Sequence, residues 1–488
     1  MTNNRQYNLL SVVFISLILA LTAILIAIFS VLSPLSLSHL SPITNNAFSA
    51  NDPYTIRVVT LNGPTTYFVN NQQQYSGLEY ELAQRFVEYL GAPYKLKIFV
   101  ATHIGEIIPA LIHNNVDIAA ADLSITDSRK EMVNFASAYL ETQQQLVYNK
   151  NLTTDPPKNL KELANVRIVV PTGTSFVERL NALKEQEPSV TWEERETHSE
   201  HLIEAVANGE IPYTIADSHL ISVMHNFHPE LGTSMPIGKT DHIAWAVSKD
   251  SKPELQEKAR SFFNTIKKNG TLRNLVDRYY GNAKRLNTID ITTFMEHTQT
   301  LLPKYIGLFK QAQDITGIDW HLIAAVSYRE SHWDTYSTSP TNVRGLMMLT
   351  EDTADQMGVT DRLDPKQSIP AGAKYLRRLI ETVPNKVPEP DRTYMALAAY
   401  NIGYAHVEDA RVLAQRLKLN PNHWADVKKT LVMLNDPTYY INAKYGYCSG
   451  GAPVIFVETI RSYQRILDRY QSSELPTVQK NVAQKKDF

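Results

Sequence analysis

The chain has 488 residues, which is enough for roughly three domains of average size. Charged residues make up 20% of it and apolar residues 43%, as in an ordinary soluble globular protein. The net charge of -2 predicts no nucleic-acid partner. The single cysteine, Cys448, excludes an intrachain disulfide and a cysteine-based zinc site.

The N-terminal segment is predicted to be a membrane or export segment. Residues 9–32 are a run of 24 residues without a charge, long enough to cross a bilayer as a helix. Arg5 is the only charged residue before this run. Because positive flanks stay in the cytoplasm, the rest of the chain should lie outside it. Residues 1–32 are therefore either an uncleaved anchor or a cleaved signal peptide.

Polar segments flank the part of the chain that is predicted to fold. Residues 33–53 are rich in Ser, Pro and Asn and have no apolar period, which is typical of a linker. Residues 471–488 are polar and predict a frayed tail.

Residues 54–283 alternate between strand and helix patterns. Strands are predicted at 55–61, 95–100, 116–121, 167–171 and 213–216, and helices at 78–90 and 105–113. This alternation favours an α/β domain with largely parallel strands. Two clusters of such units, 54–140 and 145–240, predict two lobes, and residues 242–268 are expected to return to the first lobe.

One stretch of the α/β region is specific. Asp-Leu-Ser-Ile-Thr-Asp-Ser-Arg at 122–129 resembles the signature of the polar-amino-acid class of periplasmic solute-binding proteins. The resemblance implies that Arg129 grips a ligand carboxylate at a helix that Thr126 caps, and a helix N-terminus suits an anion. It also implies the remaining ligand-binding residues, which are Tyr67, Ser124, Thr174, Ser175 and Asp217.

The ligand of this receptor-like domain stays open. Asp122 stands where the family often has a hydroxyl residue, so the ligand need not be a free amino acid. A muropeptide or an amino acid is the predicted effector. The alternative is that Arg129 is a solvated residue on a helix surface.

From about residue 300 the pattern is helical throughout. Residues 284–300 are predicted to be a linker and residues 301–470 a mainly α-helical domain. Asp319 is positioned to cap a helix that ends in Glu330-Ser331, and Thr350 to cap another that ends at Gly358.

Four short motifs in this region resemble the lytic transglycosylase (SLT) domain related to goose-type lysozyme. They are Glu330-Ser331, Gly-Leu-Met-Met at 345–348, Ala-Ala-Tyr-Asn at 398–401 and Tyr463. Each is weak alone, but four in order over about 135 residues are specific. The expected architecture is therefore a two-lobed α/β periplasmic-binding-protein-like domain followed by a lysozyme-like helical domain.

The resemblance implies a non-hydrolytic cleavage of peptidoglycan glycan strands. Glu330 would protonate the glycosidic oxygen, which requires a carboxyl with a raised pKa, and its apolar neighbours favour one. The C6 hydroxyl of N-acetylmuramic acid would then attack C1 and leave a 1,6-anhydro end. Asp334 and Asp352 are near in sequence, so a hydrolytic pair of carboxylates stays open.

The other motif residues are predicted to bind substrate. They are Ser331, Met347, Met348, Tyr400, Asn401 and Tyr463. Met348 departs from the family's Gln, and core filling is the competing interpretation for the Met pair. His321 and His332 lack ligating partners at metal-site spacing, so no metal and no cofactor are predicted.

Two other functions and two locations remain open. The chain could be a solute receptor that feeds a transporter, or a peptidoglycan or amino-acid sensor with an inactive lysozyme-like domain. The resemblance implies an enzyme on the periplasmic face, peripheral to the outer membrane. An inner-membrane anchor at residues 1–32 is the alternative location.

Overall fold

The structure, a computed structural model, describes residues 52–69, 74–250, 253–281, 286 and 288–472. The predicted export segment 1–32, nearly all of the linker 33–53 and of the tail 471–488 lie outside these residues. Within the described ranges, no helix combines the length and apolarity that a membrane crossing requires.

Strands occur only in the first half of the described chain. They are β1 (Thr55–Leu61), β2 (Phe68–Val69), β3 (Tyr75–Ser76), β4 (Lys95–Ala101), β5 (Ile118–Ala119), β6 (Val133–Phe135), β7 (Leu140–Thr142), β8 (Gln144–Asn149), β9 (Ile168–Pro171), β10 (Trp192–Arg195), β11 (Tyr213–Asp217), β12 (Leu231–Pro236), β13 (Asp241–Ile243) and β14 (Ala246–Ser248).

Helices accompany the strands and then form the second half alone. Those of the α/β part are α1 (Leu78–Leu90), α2 (Ile107–Ile112), α3 (Asp127–Met132), α4 (Leu160–Leu163), α5 (Ser175–Gln186), α6 (Ser199–Ala207), α7 (Ser218–Met224), α8 (Pro253–Lys268) and α9 (Thr271–Tyr280). Those of the helical part are α10 (Thr288–Thr300), α11 (Ile306–Thr316), α12 (Trp320–Ser331), α13 (Glu351–Met357), α14 (Pro365–Thr382), α15 (Asp391–Ile402), α16 (Tyr404–Arg416), α17 (Trp424–Met433), α18 (Pro437–Tyr440) and α19 (Gly451–Ser472). Single 3-10 turns lie at Ile104–Glu106 and Leu302–Lys304.

Each lobe of the α/β part is built on one sheet. In the described residues the first sheet has the order β4-β1-β5-β14-β6 and the second the order β10-β9-β11-β8-β12. β7 and β13 pair with each other between the lobes, where the chain crosses. β14 lies beside β5 in the first sheet, so the chain returns to the first lobe as predicted.

The sheets are mixed, and the prediction of largely parallel strands holds only for part of each. β1, β4 and β5 are parallel, as are β9, β10 and β11. β14 runs against β5 and β6, and β8 runs against β11 and β12. β8 and β14 both follow a crossing between lobes, so they enter their sheets from the hinge side and oppose their neighbours.

The helical part surrounds one nearly buried helix. In α12 the run from Trp320 to Tyr328 is buried on every face, which is typical of a central helix rather than an amphipathic surface helix. It packs against α11 and α19, and the same core continues into α14 and α15. The two-lobed α/β domain followed by a mainly helical domain is therefore the architecture that was predicted.

The predicted linker 284–300 is wrong for most of its length. Residues 288–300 form α10, and Ile291 and Phe294 are fully buried in the core of the helical domain. The Phe294 ring lies 4.5 Å from the ring of Tyr328, centroid to centroid. The helical domain therefore begins before residue 300.

Candidate active site and receptor cleft

Glu330 lies on the last turn of α12, and both ends of this helix are fixed. The Asp319 carboxylate accepts a hydrogen bond from the backbone N–H of His321 and caps the start, as predicted. At the other end His332 has a φ of 52°, the left-handed conformation that terminates helices. The helix axis therefore determines where the Glu330 carboxyl points.

The electrostatic setting of Glu330 keeps its carboxyl protonated to higher pH than usual. Burial raises the pKa of this half-buried carboxyl to about 7, and the charge of Arg329 opposes that shift only in part. A carboxylate nearby would add to the increase by repulsion. In the described part of the chain no carboxylate is among the groups that shift the pKa of Glu330. Asp334 and Asp352 are both exposed.

A tight turn at 345–349 lies against the end of α12. Gly345 has a φ of 79°, and a Cβ there would lie 1.8 Å from the backbone oxygen of Arg362, so only glycine fits. The Ser331 hydroxyl lies 3.0 Å from the backbone oxygen of Leu346. The Tyr400 hydroxyl donates to the backbone oxygen of Met347 at 2.8 Å. The first three motifs thus meet at this turn.

Two of the predicted substrate-binding residues are buried in the framework of the helical domain. Ser331 is buried, and its hydroxyl faces the backbone oxygens of Ser327 and Leu346. Met347 is fully buried and packs on Gly372. A Cβ added at Gly372 would lie only 2.6 Å from the Cβ of Met347. Ser331 points into the core from α12 and Met347 from the turn, so burial does not support a substrate contact for either side chain, and both contacts stay predictions.

The other predicted contacts differ in exposure. Asn401 is exposed and Met348 and Tyr400 are half-buried, so all three have surface available to a substrate. Tyr463 is only 4% exposed, and its ring lies 4.3 Å from that of Phe294 and 4.9 Å from that of Tyr328. Tyr463 thus belongs to the aromatic core that supports α12.

His321 has carboxylate partners, contrary to the prediction from spacing. Its Nδ1 lies 2.8 Å from an Asp319 oxygen and 3.6 Å from an Asp468 oxygen. The Asp468 contact joins residues nearly 150 positions apart, which local spacing does not reveal. Because Asp319 also caps α12, this group has a structural role at the helix start.

The receptor-like domain has a narrow cleft between its lobes, with a volume of about 50 Å³. Five predicted ligand-binding residues line it, namely Ser124, Arg129, Thr174, Ser175 and Asp217. Thr126 caps α3 by accepting the backbone N–H of Arg129 and so positions that arginine. Tyr67 is not among the lining residues. Its ring stacks on Tyr75 at 5.2 Å, so the predicted ligand contact of Tyr67 has no support from the cleft lining and stays a prediction.

Side chains from opposite lobes join across this cleft. Arg129 is buried and donates to the backbone oxygens of Ser124 in its own lobe and of Gly173 in the other. Nε2 of His219 lies 2.6 Å from an Asp122 oxygen, again across the cleft. The lobes are therefore held closed by the protein's own side chains.

The cleft holds one carboxyl group, Glu200, that the sequence analysis did not name beside Asp122 and Asp217. Burial raises the pKa of both Asp217 and Glu200 to about 7. Burial lowers the pKa of His219, but the charges of Asp122 and Asp217 outweigh it and raise that pKa to about 9. In the described residues one oxygen of Asp217, Oδ1, is buried without a hydrogen-bond partner. The sequence signals for this cluster were the predicted Asp217 and the unusual Asp122, whereas Glu200 and His219 had none.

Two family models match the α/β domain and the helical domain separately. The model for bacterial extracellular solute-binding proteins, family 3, matches residues 56–282, and the model for the transglycosylase SLT domain matches residues 307–422. An ancestral arginine-binding protein bound to arginine is 23% identical with a TM-score of 0.42. It covers 46% of this chain and 98% of its own. A solute receptor for L-cysteine of Neisseria gonorrhoeae is 22% identical with a TM-score of 0.41, at 46% and 89% coverage.

Curated relatives extend over both domains. The membrane-bound lytic murein transglycosylase F of Methylobacillus flagellatus is 53% identical over 429 residues, which are 87% of this chain and 91% of the relative. The protein of the same name from Nitrosospira multiformis is 40% identical over 414 residues, 85% and 86% of the two chains. The chain therefore belongs to the membrane-bound lytic murein transglycosylase F family.

Proposed function

We propose that this lytic transglycosylase cleaves the β-1,4 bond between N-acetylmuramic acid and N-acetylglucosamine with Glu330 as its only acid and base. The observation that carries the proposal is the pKa of Glu330, which is about 7 although no carboxylate among the described residues contributes to it. Hydrolytic glycosidases commonly need two carboxyl groups, one of them to activate water or to form a covalent intermediate. An intramolecular reaction needs only one.

The first step is proton transfer. At neutral pH a carboxyl with this pKa is protonated in about half of the molecules, so it can donate to the glycosidic oxygen. As that proton moves, the bond from C1 of the muramic acid to the oxygen breaks, and the oxygen leaves as the 4-hydroxyl of glucosamine. Positive charge develops at C1 while Glu330 becomes a carboxylate.

The second step returns the proton. The Glu330 carboxylate accepts the proton of the C6 hydroxyl, whose oxygen forms a bond to C1. The product is a 1,6-anhydromuramic acid end, and the enzyme regains its starting protonation state. No water is consumed.

The residues around Glu330 have separate tasks in this proposal. Exposed Asn401 and half-buried Met348 contact the sugar, and Tyr400 fixes the turn on which Met348 lies. Ser331, Met347 and Tyr463 hold α12 and the turn in place from the core. The polymer is bound beside the turn rather than within the aromatic core.

Digestion of peptidoglycan in heavy-oxygen water tests the mechanism. The initial muramic acid ends should carry no label and should have the mass of the anhydro form. Label at C1 in those products would mean hydrolysis and would make Asp334 or Asp352 the second carboxyl group. A hydrolytic muramidase digested in parallel gives the labelled reference.

We further propose that the receptor cleft binds a muropeptide or an amino acid that regulates the enzyme. Arg129 offers a guanidinium for a carboxylate, and the unpartnered Oδ1 of Asp217 offers an acceptor for an ammonium group. Because the cleft is nearly filled, such a ligand has to separate the lobes or replace the contacts that close them. It can change the rate at Glu330 only if the two lobe arrangements bind it differently.

Calorimetry with amino acids and stem peptides tests this regulation. Binding to the full chain should be lost in Arg129→Ala, and the same ligand should change the rate of glycan cleavage. Binding that survives this substitution would contradict the assignment of the cleft. Binding without any change in rate would make the domain a tether.

The location also belongs to the proposal. We place the enzyme on the periplasmic face of the cell envelope, peripheral to the outer membrane. The family name supports membrane association, and the alternative remains an inner-membrane anchor at residues 1–32. Fractionation of the two membranes with antibody detection of the full chain decides between these locations.

A further inference from the structure

A second, larger cavity lies where both lobes meet the helical domain. Its volume is about 540 Å³, within the usual range of small-molecule sites. Phe68 lines it from the first lobe, Phe227 from the second, and Arg465 from α19 of the helical domain. His198 and Glu200 line both this cavity and the lobe cleft, so the two spaces share one wall.

Four arginines line the cavity, and three of them have carboxylate partners. The partners are Glu81 and Asp391 for Arg278, Glu458 and Asp277 for Arg461, and Glu204 for Arg469. The charges of these three are therefore matched within the protein. A ligand is not needed to neutralise them.

Arg465 is the exception. Its Nη2 donates to the backbone oxygen of Arg278 at 3.4 Å, a neutral acceptor. Its Nη1 is shielded from solvent and has no hydrogen-bond partner in the part of the chain that the structure describes. Burial and the charge of Arg461 lower the pKa of Arg465 to about 10, which still leaves it cationic at neutral pH. The charges of Asp468, which lines the same cavity, and of Glu458 act in the opposite direction, yet Nη1 is left without an acceptor. A buried donor without an acceptor is costly, so this position favours an acceptor group such as a carboxylate.

We propose that the cavity between the domains binds a peptide whose carboxylate pairs with Arg465. A guanidinium and a carboxylate form the strong, charge-assisted hydrogen bonds that would satisfy Nη1. The apolar walls at Phe68, Val223 and Phe227 suit the side chains of a short peptide. This site is separate from the lobe cleft and uses a different arginine.

Such a ligand links the domains. The walls of the cavity come from the receptor lobes and from α19. Binding therefore stabilises the arrangement of domains in which the cavity exists. The ligand therefore acts on the orientation of the catalytic domain directly, whether or not the lobe cleft is occupied.

Calorimetry on the full chain tests the site with alanylphenylalanine and its C-terminal amide. All titrations use a protein that carries Arg129→Gln, because this substitution weakens binding in the lobe cleft and leaves Arg465 in place. The free acid should bind at least about ten-fold more tightly than the amide, as expected for one lost charge-assisted pair. Adding Arg465→Gln should abolish this preference, whereas adding Arg377→Gln, a surface arginine on α14, should not change it.

The proposal is overturned by any of three results. These are equal binding of acid and amide, binding unchanged by Arg465→Gln, and no binding up to about 10 mM, the upper range of weak complexes. Gln464→Trp covers the case in which Arg465→Gln does not fold. Gln464 lines the cavity and is half-buried, so the new indole should fill the space and block binding while Arg465 remains.

Discussion

The Tyr400 hydroxyl donates a 2.8 Å hydrogen bond to the backbone oxygen of Met347, which joins α15 to the turn beside Glu330. Burial is the main cause of the raised pKa of Tyr400, and the charge of Glu330 adds to it, so this phenol stays neutral and keeps its proton for the bond. One tyrosine thus holds the turn and faces the acid.

Replacing Tyr400 should therefore affect the reaction more than the fold. Tyr400→Phe leaves a buried carbonyl unpaired, which costs about 1–3 kcal/mol. We expect release of anhydro-muropeptides to fall about ten-fold through a looser turn, with a small decrease in Tm. Tyr375→Phe, whose ring lies 5.4 Å from that of Tyr400, is the matched control and should retain activity. Unchanged activity of Tyr400→Phe would show that the turn needs no such support.

Glu330→Gln should remove the activity while keeping the fold. The amide has the shape of the acid but no proton to transfer, so product formation should fall at least about 100-fold. Asp334→Asn and Asp352→Asn remove exposed carboxylates and should each retain most of the activity. Chromatography of the muropeptides measures all three. Near-normal turnover by folded Glu330→Gln would contradict the assignment.

The pH profile should report the protonated form of Glu330. With a pKa of about 7, kcat/KM should be level below neutrality and fall about ten-fold per pH unit above it. The charge of Arg329 lowers this pKa, so Arg329→Gln should move the descending limb to higher pH. Lys310→Gln removes a positive charge on α11 and should leave the limb in place. A descending limb that moves to lower pH in Arg329→Gln would refute this electrostatic account.

The Asp122–His219 pair should keep the lobes closed. Because the pKa of His219 is raised to about 9, its stabilising contribution is complete below the unfolded value of about 6.5 and is lost as the pH rises through 9. Asp122→Asn should open the cleft at neutral pH, seen as a larger radius of gyration in solution scattering. Asp155→Asn, an exposed carboxylate of the same domain, is the control. If the cleft stays closed in Asp122→Asn, Arg129 alone is enough to hold the two lobes together.

Phe294→Ala should destabilise the helical domain as strongly as a central core substitution. Phe294 is fully buried and touches the rings of both Tyr328 and Tyr463. The loss should be about 3–5 kcal/mol in the free energy of unfolding, measured with denaturant. The exposed Ile289 on the same helix provides the control Ile289→Ala, which should change little. A small effect of Phe294→Ala would show that α10 is a linker and not part of the core of the helical domain.

Local chemistry explains what could be predicted from the sequence. Thr126, Asp319 and Thr350 cap the helices that follow them, and Gly358 ends one, because caps depend on a few neighbouring residues. The raised pKa of Glu330 followed from its apolar helix in the same way. Order and spacing of the four motifs were enough to indicate the catalytic domain.

Long-range packing explains what could not be predicted from the sequence. α10 carries five threonines, poor helix formers, and is stabilised by tertiary contacts of Ile291 and Phe294 that no local pattern reveals. His219 meets Asp122 from 97 positions away. Met347 and Met348 are adjacent in sequence, yet only the turn conformation decides that the first is buried and the second half-buried.

The seam between the domains is polar and residue-specific. Arg273 of α9 binds both oxygens of Asp426, and Asn274 donates to Asp391, although the two aspartates are each only 1% exposed. Removing α9 would take Arg273 and Asn274 away and leave each buried carboxylate with fewer hydrogen bonds, mainly from backbone N–H groups, at a cost of about 1–3 kcal/mol each. Chimeras that exchange either domain with that of a distant relative should therefore fail to fold stably unless α9 is transferred together with Asp391 and Asp426.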